Sequence, residues 1–227
     1  DFDDIKLNNA EESLKNMLNL ETLKGKSFLD VGCGSAIFSL AAKNLGANVV
    51  SVDYDPNCIT CANNLKNKFY KNDDRWTILE GSAINKDFMV SLGQFDIVYS
   101  WGVLHHTGEM WRALDNVVGL VNPNGSLFIA LYNNQQFASS YWTFVKRMYN
   151  KFPLSRPLWI FIHFLYPALP SIALKFFQNR KLPRGMTVWY DLLDWLGGYP
   201  FEVSTPSDIF DFYKLRGFTL TNLKKFK

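Results

Sequence analysis

Cysteine and histidine are both scarce here, with three of each in 227 residues. So few cysteines cannot staple a disulfide-dependent fold, and an odd number is the pattern of reduced thiols in a cytoplasmic protein. Cys58 and Cys61 form a CxxC, but no second pair exists to complete a zinc set. Their spacing puts both on one side of a helix, which reads as packing, and no metal is expected. Charge is also nearly balanced, at +3 overall, too little to suggest a nucleic-acid partner. The late cations Lys214, Arg216, Lys224, Lys225 and Lys227 read as a solvated helix face and tail. Internal repeats and low-complexity tracts are absent. The chain opens on Asp1 and not on Met, which leaves room for a trimmed targeting segment. A composition of 48% hydrophobic and 20% charged residues is that of a globular chain with one large core.

In the first two thirds, short apolar runs alternate with helical patterns. Leu14 and Leu18 suggest an opening helix. Strands are expected at Ser27–Val31, at "ANVVSVD" ending on Asp53, at "WTILEG", at "FDIVYSW" and at "SLFIALY". Between them, helices are expected over 36–45 with Gly46 as the C-terminal cap, over "DPNCITCANNLKNKF", and over about 109–121; "NPNG" reads as a turn. Apolar strands separated by helices imply a Rossmann-like, doubly wound, mostly parallel α/β sheet. Ligands of such sheets bind beyond the carboxyl ends of the strands, so the residues just after each strand carry the information.

After the first strand come Asp30, Gly32 and Gly34, and after the second comes Asp53, whose carboxylate can accept both hydroxyls of a ribose. After the third, the small residues of "EGSAIN" leave amides free to meet an adenine edge. A ribose and an adenine fit NAD or S-adenosylmethionine. A dinucleotide loop would carry a small third residue where Ile37 stands, and its pyrophosphate would be repelled by Asp30. A nucleoside bearing an ammonium and a sulfonium favours that acid.

The set "LDVGCGSA", "SVDYDP", "GSA" and "FDIVYSWGVLHH" resembles class I S-adenosylmethionine-dependent methyltransferases over about residues 25–132. "WGVLHHTG" is most similar to the small-molecule branch with ubiquinone- and menaquinone-type enzymes. The resemblance implies that Asp30, Gly32, Cys33 (through its backbone) and Gly34 line the methionine and ribose. It implies further that Asp53 holds the ribose hydroxyls, Tyr54 lies against the adenine, and Ser82 and Ala83 meet its edge. Ser100 or Trp101 would offer a carbonyl to the methionine amine. Many relatives have an acid where Ser82 stands. Relatives also finish with two antiparallel strands. Here "TPSDIFDFYKLRGF" reads as a helix capped by Thr205 or Ser207 and ended by Gly217, and only one strand, "FTLTNLKKF", follows.

Methyl transfer needs a base only where the acceptor must lose a proton. His105 and His106, after the fourth strand, are the candidates. Residues 133–203 depart from a minimal domain and are dense in aromatics. They read as a helical lid inserted after strand five into a cofactor domain of residues 1–132 and 204–227. Tyr132, Trp189, Tyr190, Asp191 and Asp194 are the candidate acceptor contacts, and "RGMTVWYDLLDWLGGYPFE" is similar to a string in bacterial methyltransferases. The run over 158–177 has the length of a membrane span, but Pro167 and Pro170 break it and His163 and Lys175 interrupt it. It reads as a lid or homodimer contact, or as an interfacial helix touching a membrane.

The expected function is thus transfer of a methyl group to oxygen or nitrogen of a small hydrophobic or aromatic acceptor, with lipid, quinone and sugar all open. A non-catalytic partner-binding subunit of the same fold, and an NAD-dependent oxidoreductase, are the competing readings.

Overall fold

The computed structural model describes residues 4–164 and 188–224, with the side chains of 188–191 outside that description. It has two compact units, residues 1–133 with 204–227, and residues 134–203.

In the first unit five strands form one sheet in the order β3-β2-β1-β4-β5: β1 (Ser27–Val31), β2 (Asn48–Asp53), β3 (Trp76–Glu80), β4 (Phe95–Trp101) and β5 (Val121–Ala130). All four pairings are parallel. Parallel neighbours need crossovers, and the helices that supply them bury both faces. Phe28, Ile97 and Tyr99 pack under Leu14 of α1 (Asp4–Leu18), Leu40 of α2 (Ile37–Asn44) and Ala62 of α3 (Pro56–Phe69). Leu29, Val31 and Val98 pack under Met89 of α4 (Lys86–Ser91), Leu114 of α5 (Met110–Val118) and Tyr213 of α9 (Pro206–Lys214). The alternation along β1 therefore feeds two cores, and the sheet is Rossmann-like and doubly wound.

Local chemistry fixes the ends of these elements. Asp55 caps α3 by accepting from Asn57 N–H at 2.8 Å, with Pro56 in the first turn. Thr205 and Asp208 form a reciprocal capping box on α9. Gly46 (φ 99°) and Gly217 (φ 83°) each close a helix in the left-handed region. Their N–H groups reach Lys43 and Lys214 carbonyls, and the next residues' N–H groups reach Ala42 and Tyr213, the paired bonds of a glycine C-cap.

Three expectations need correction. The "FTLTNLKKF" stretch forms no strand over 218–224. Leu220 and Leu223 are exposed, and no sheet edge pairs with them among the described residues. The turn at "NPNG" lies inside β5, as an irregularity between the Phe95–Val121 and Ile97–Ser126 pairs, with Asn124 at φ 65°. The preceding helix accordingly stops at Val118. The cysteines of the CxxC are not core residues, for Cys61 is exposed and Cys58 half-buried; Ala62 is the residue that α3 buries.

The second unit packs α6 (Phe137–Lys151) against α8 (Val188–Gly197), with α7, helical over 156–164, between them in sequence. Val145, Tyr149 and Leu196 are its buried centre, joined by Trp142 and Trp159. Lys146 is buried there too. It donates to the Trp195 carbonyl and lies 4.0 Å from the Trp195 ring centre, and burial lowers its pKa to about 8. His163 is a satisfied core histidine, with Nδ1 2.8 Å from the Trp159 carbonyl and Nε2 3.0 Å from the Tyr141 hydroxyl. Of the 158–177 run, residues 165–177 lie outside the described residues; among those described, no helix is long and apolar enough to cross a membrane.

The two C-cap glycines differ in what surrounds them. A Cβ on Gly217 would meet nothing within 4 Å, whereas one on Gly46 would stand 3.0 Å from Lys24 Cα. Gly217→Ala should therefore cost about 1 kcal/mol, the penalty of left-handed backbone alone, and Gly46→Ala clearly more. Urea melts of the two variants, side by side, check the ranking.

Candidate active site

The site begins at the turn after β1. Gly32 and Cys33 donate their N–H groups to the Val52 carbonyl at 2.7 and 3.0 Å, and Gly34 donates to Asp53 Oδ2 at 2.8 Å. The turn is thus sewn to the end of β2. Two glycines are needed for different reasons. At Gly32 (φ 78°) a Cβ would fall 2.3 Å from Val103 Cγ1, so the segment after β4 can approach only because that side chain is missing. At Gly34 (φ 55°) a Cβ would face open space, the cradle a ligand can enter.

Asp53 is the busiest acceptor here. Oδ1 takes Asp55 N–H at 2.9 Å while Oδ2 takes Gly34. Tyr54 beside it is 76% exposed, open to any flat partner. On the far side of the turn, Gly81 donates to the Asp53 carbonyl at 2.9 Å. Ala83 is buried, and its carbonyl accepts from Asn116 Nδ2 at 2.8 Å; Ser82 is half-buried. Asn116 was not foreseen as part of this edge.

Asp30 is placed unlike a surface ligand contact. Its carboxylate is 3% exposed, and Oδ2 accepts from Ser39 Oγ at 2.6 Å. Ser39 in turn accepts from Ser51 Oγ at 2.7 Å, and Ser51 from Trp76 Nε1 at 2.9 Å. Burial, set against the Ser39 bond and reinforced by Asp53, pushes the Asp30 pKa up to about 7. Asp30 therefore lies beneath the turn, where its charge is felt at Cys33. Ser39, Ser51 and Trp76 were missed in the sequence, although a serine in the apolar run of α2 and another inside β2 were the available signal.

At the end of β4, Ser100 is buried and its hydroxyl is spent on the Val31 carbonyl at 2.9 Å. Trp101 stacks between Phe38 and Phe128, at 6.0 and 5.8 Å between ring centres. A single turn of 3₁₀ helix, Leu104–His106, follows. It brings three of the expected residues together: the His105 ring centre lies 4.4 Å from that of His106 and 4.2 Å from that of Tyr132, just after β5. His105 is 1% exposed and His106 half-buried. The remaining acceptor candidates belong to the second unit. Asp194 is exposed on α8; Trp189, Tyr190 and Asp191 sit at its start, and their side chains lie outside the described residues.

The acceptor-rich turn tests which nucleoside fits. Asp30 and Asp53, after burial itself, are the neighbours that push the Cys33 thiol pKa upward. Burial, then Asp53 and Asp55, lift Cys58 to about 11. The field at the turn is negative. It opposes a pyrophosphate and suits a nucleoside carrying positive charge, with Asp53 available to the ribose and the open side of Gly34 beside it. Fold and site together define a nucleoside-binding Rossmann-like protein of the methyltransferase kind.

Comparison with known proteins agrees. Residues 29–127 match the family described as "Methyltransferase domain". A ubiquinone biosynthesis O-methyltransferase of Coxiella burnetii (strain Dugway 5J108-111) is 30% identical over 147 residues, which are 65% of this chain and 60% of that one. The mitochondrial ubiquinone biosynthesis O-methyltransferase of Schizosaccharomyces pombe is 31% identical over 106 residues, 47% of this chain and 38% of its own. The chain thus spans 60% of the length of the first of these relatives or less. Among solved structures, an O-methyltransferase family protein from Burkholderia thailandensis superposes with a TM-score of 0.60 at 13% identity, covering 98% of this chain and 55% of that one. The YcgJ protein of Bacillus subtilis gives a TM-score of 0.51 at 16% identity, covering 64% and 59%. Residues 29–127 are thus a methyltransferase domain by sequence, on a methyltransferase-like Rossmann sheet and distantly similar to ubiquinone biosynthesis O-methyltransferases.

Two outcomes follow. The raised Asp30 pKa contributes stability that is full below the unfolded carboxylate value and lost as pH rises through about 7. Asp30→Asn keeps an acceptor for Ser39 and removes the charge, so its melting temperature should pull ahead of wild type between pH 5 and pH 8, by the equivalent of roughly 1–3 kcal/mol. Thermal melts across that range read it directly, and parallel curves would contradict it. Asp53→Ala should weaken S-adenosylmethionine binding about tenfold to a hundredfold, as expected for losing charged hydrogen bonds, measured by titration calorimetry.

Proposed function

We propose that the protein transfers the methyl group of S-adenosylmethionine to an oxygen, or less readily a nitrogen, of a small hydrophobic or aromatic acceptor. The observation that carries this reading is the shared edge. Gly34 and Asp53 lie at the ends of β1 and β2, His105 and His106 follow β4, and Tyr132 follows β5. Val103 binds the two halves by resting on Gly32. The names of the curated relatives support oxygen as the acceptor atom and a compound on the way to a quinone as the acceptor class.

When bound, the cofactor supplies an electrophilic methyl group on a cationic sulfur. The acceptor's oxygen attacks that carbon in line, the carbon–sulfur bond breaks, and the sulfur keeps the bonding pair and leaves neutral. What the chain contributes is placement and a place for the proton. Asp30 and Asp53 favour the cation before transfer. A neutral His106 imidazole, half-exposed, takes the hydroxyl proton. His105, buried against His106 and Tyr132, fixes the ring that does so. Both histidines serve a phenol or alcohol, and neither is needed for an acceptor already deprotonated.

The inserted residues 133–203 are proposed to select the acceptor. The chain leaves the cofactor unit next to Tyr132 and returns at Ser204, whose N–H donates to the Tyr132 carbonyl at 3.2 Å. Trp189, Tyr190, Asp191 and Asp194 are the proposed selecting residues.

The test is product formation. Purified protein, S-adenosylmethionine and a panel of phenols, hydroxylated lipids and amines should yield S-adenosylhomocysteine with at least one phenol. Calorimetric binding of NAD and not of S-adenosylmethionine would overturn the reading. With a working acceptor, His106→Ala should lower kcat by roughly 10²- to 10⁴-fold, with S-adenosylmethionine affinity unchanged. An unaltered kcat would remove His106 as the base.

A further inference from the structure

The second unit carries a corner that its own core does not explain. Where α6 ends and α7 begins, Phe152 is 48% exposed and Leu154 is 99% exposed. Leu158 and Phe161 follow four and seven residues after Leu154, at 57% and 62% exposure, so the apolar stripe runs from the corner up one side of α7. Beside the stripe an apolar hollow of about 380 Å³ is lined by Pro157, Ile160, Phe161 and Phe164. A protruding leucine fully in water costs apolar hydration and gains no packing, which on a folded surface marks a place for something else to cover.

Charge says what covers it. Arg147, Lys151 and Arg156 are exposed around the corner, and none forms an ion pair with a carboxylate among the described residues. Arg147 and Lys151 stand one helical turn apart on α6. Lys151 Nζ lies 5.7 Å from the Phe152 ring centre, and Arg156 donates to the Tyr149 carbonyl at 3.2 Å. The sequence holds no aspartate or glutamate from Asn116 until Asp191. Protruding apolar side chains beside cations that no carboxylate answers among the described residues match one kind of surface, a bilayer with anionic headgroups over hydrocarbon. A neutral protein groove would leave the cations unanswered, and a second copy of this corner would set them against one another.

We propose that this corner is a peripheral membrane-docking site: Phe152 and Leu154 enter the headgroup boundary, and Arg147, Lys151 and Arg156 bind anionic lipid. The proposal stands apart from the methyl-transfer reading, because docking is read without turnover.

The test is co-sedimentation of the full chain with vesicles of phosphatidylcholine alone and of phosphatidylcholine with phosphatidylglycerol. Binding should be confined to the anionic vesicles and should fall as salt is raised. Leu154→Asp should abolish it, and Arg147→Glu with Lys151→Glu should lower the partition coefficient by at least about fivefold per cation removed. Both variants should keep the wild-type melting curve and S-adenosylmethionine affinity, which separates lost docking from lost folding. Equal sedimentation with and without vesicles, or variants that bind as wild type does, would overturn it. So would sedimentation velocity showing that Leu154→Asp dissociates a dimer and leaves vesicle binding intact.

Discussion

The hydrogen bond from Gly34 N–H to Asp53 Oδ2, 2.8 Å long, joins the ends of β1 and β2 and gives the glycine turn its shape. Without it the turn would hang from the two bonds that Gly32 and Cys33 make to Val52, and Gly34 would lose the constraint that leaves its open side facing outward. The same carboxylate orders Asp55, the residue that caps α3. One acid therefore sets the turn and the start of a helix, and it is the group proposed to accept the ribose hydroxyls. A parallel sheet gathers all its strand ends on one edge, and the neighbouring pieces inherit this register through Val103 on Gly32 and Ser100 on Val31.

Much of this edge was legible because its residues answer to local rules. Gly46, Gly217, Pro56 and Thr205 occupy places that backbone geometry reserves for them, and the five strands announce themselves as apolar runs. The residues following each strand stand out in the sequence, and His105, His106 and Tyr132 do come together. Other features depend on distance in space. Asp30 reads as an acid lining the ligand at the end of the first strand, and the sequence does not show that it sits buried under α2 on the Ser39 hydroxyl. Nothing local in Ser39, Ser51 or Trp76 says that they share one chain of hydrogen bonds.

The errors have the same origin. An apolar stretch such as "FTLTNLKKF" has strand composition, but strand formation needs a partner edge, which no window of sequence contains. "NPNG" has turn composition, and the backbone does turn at Asn124, but β4 continues alongside and the pairing resumes past it. The CxxC spacing shows that two cysteines share a helix side and does not show which side is buried. Asn116 holds the Ala83 carbonyl from α5, 33 residues away, a reach no spacing rule covers.

The indole of Trp76 can donate and cannot accept. Ser51 must then receive that proton and offer its own to Ser39, and Ser39 must offer its own to Asp30 Oδ2. The wire has one permitted polarity, set at the end farthest from the acid. When Asp30 is neutral, a wire of this polarity favours its proton on Oδ1, the oxygen that Ser39 does not address, so gain and loss of charge at this buried group are biased toward one side of the carboxyl.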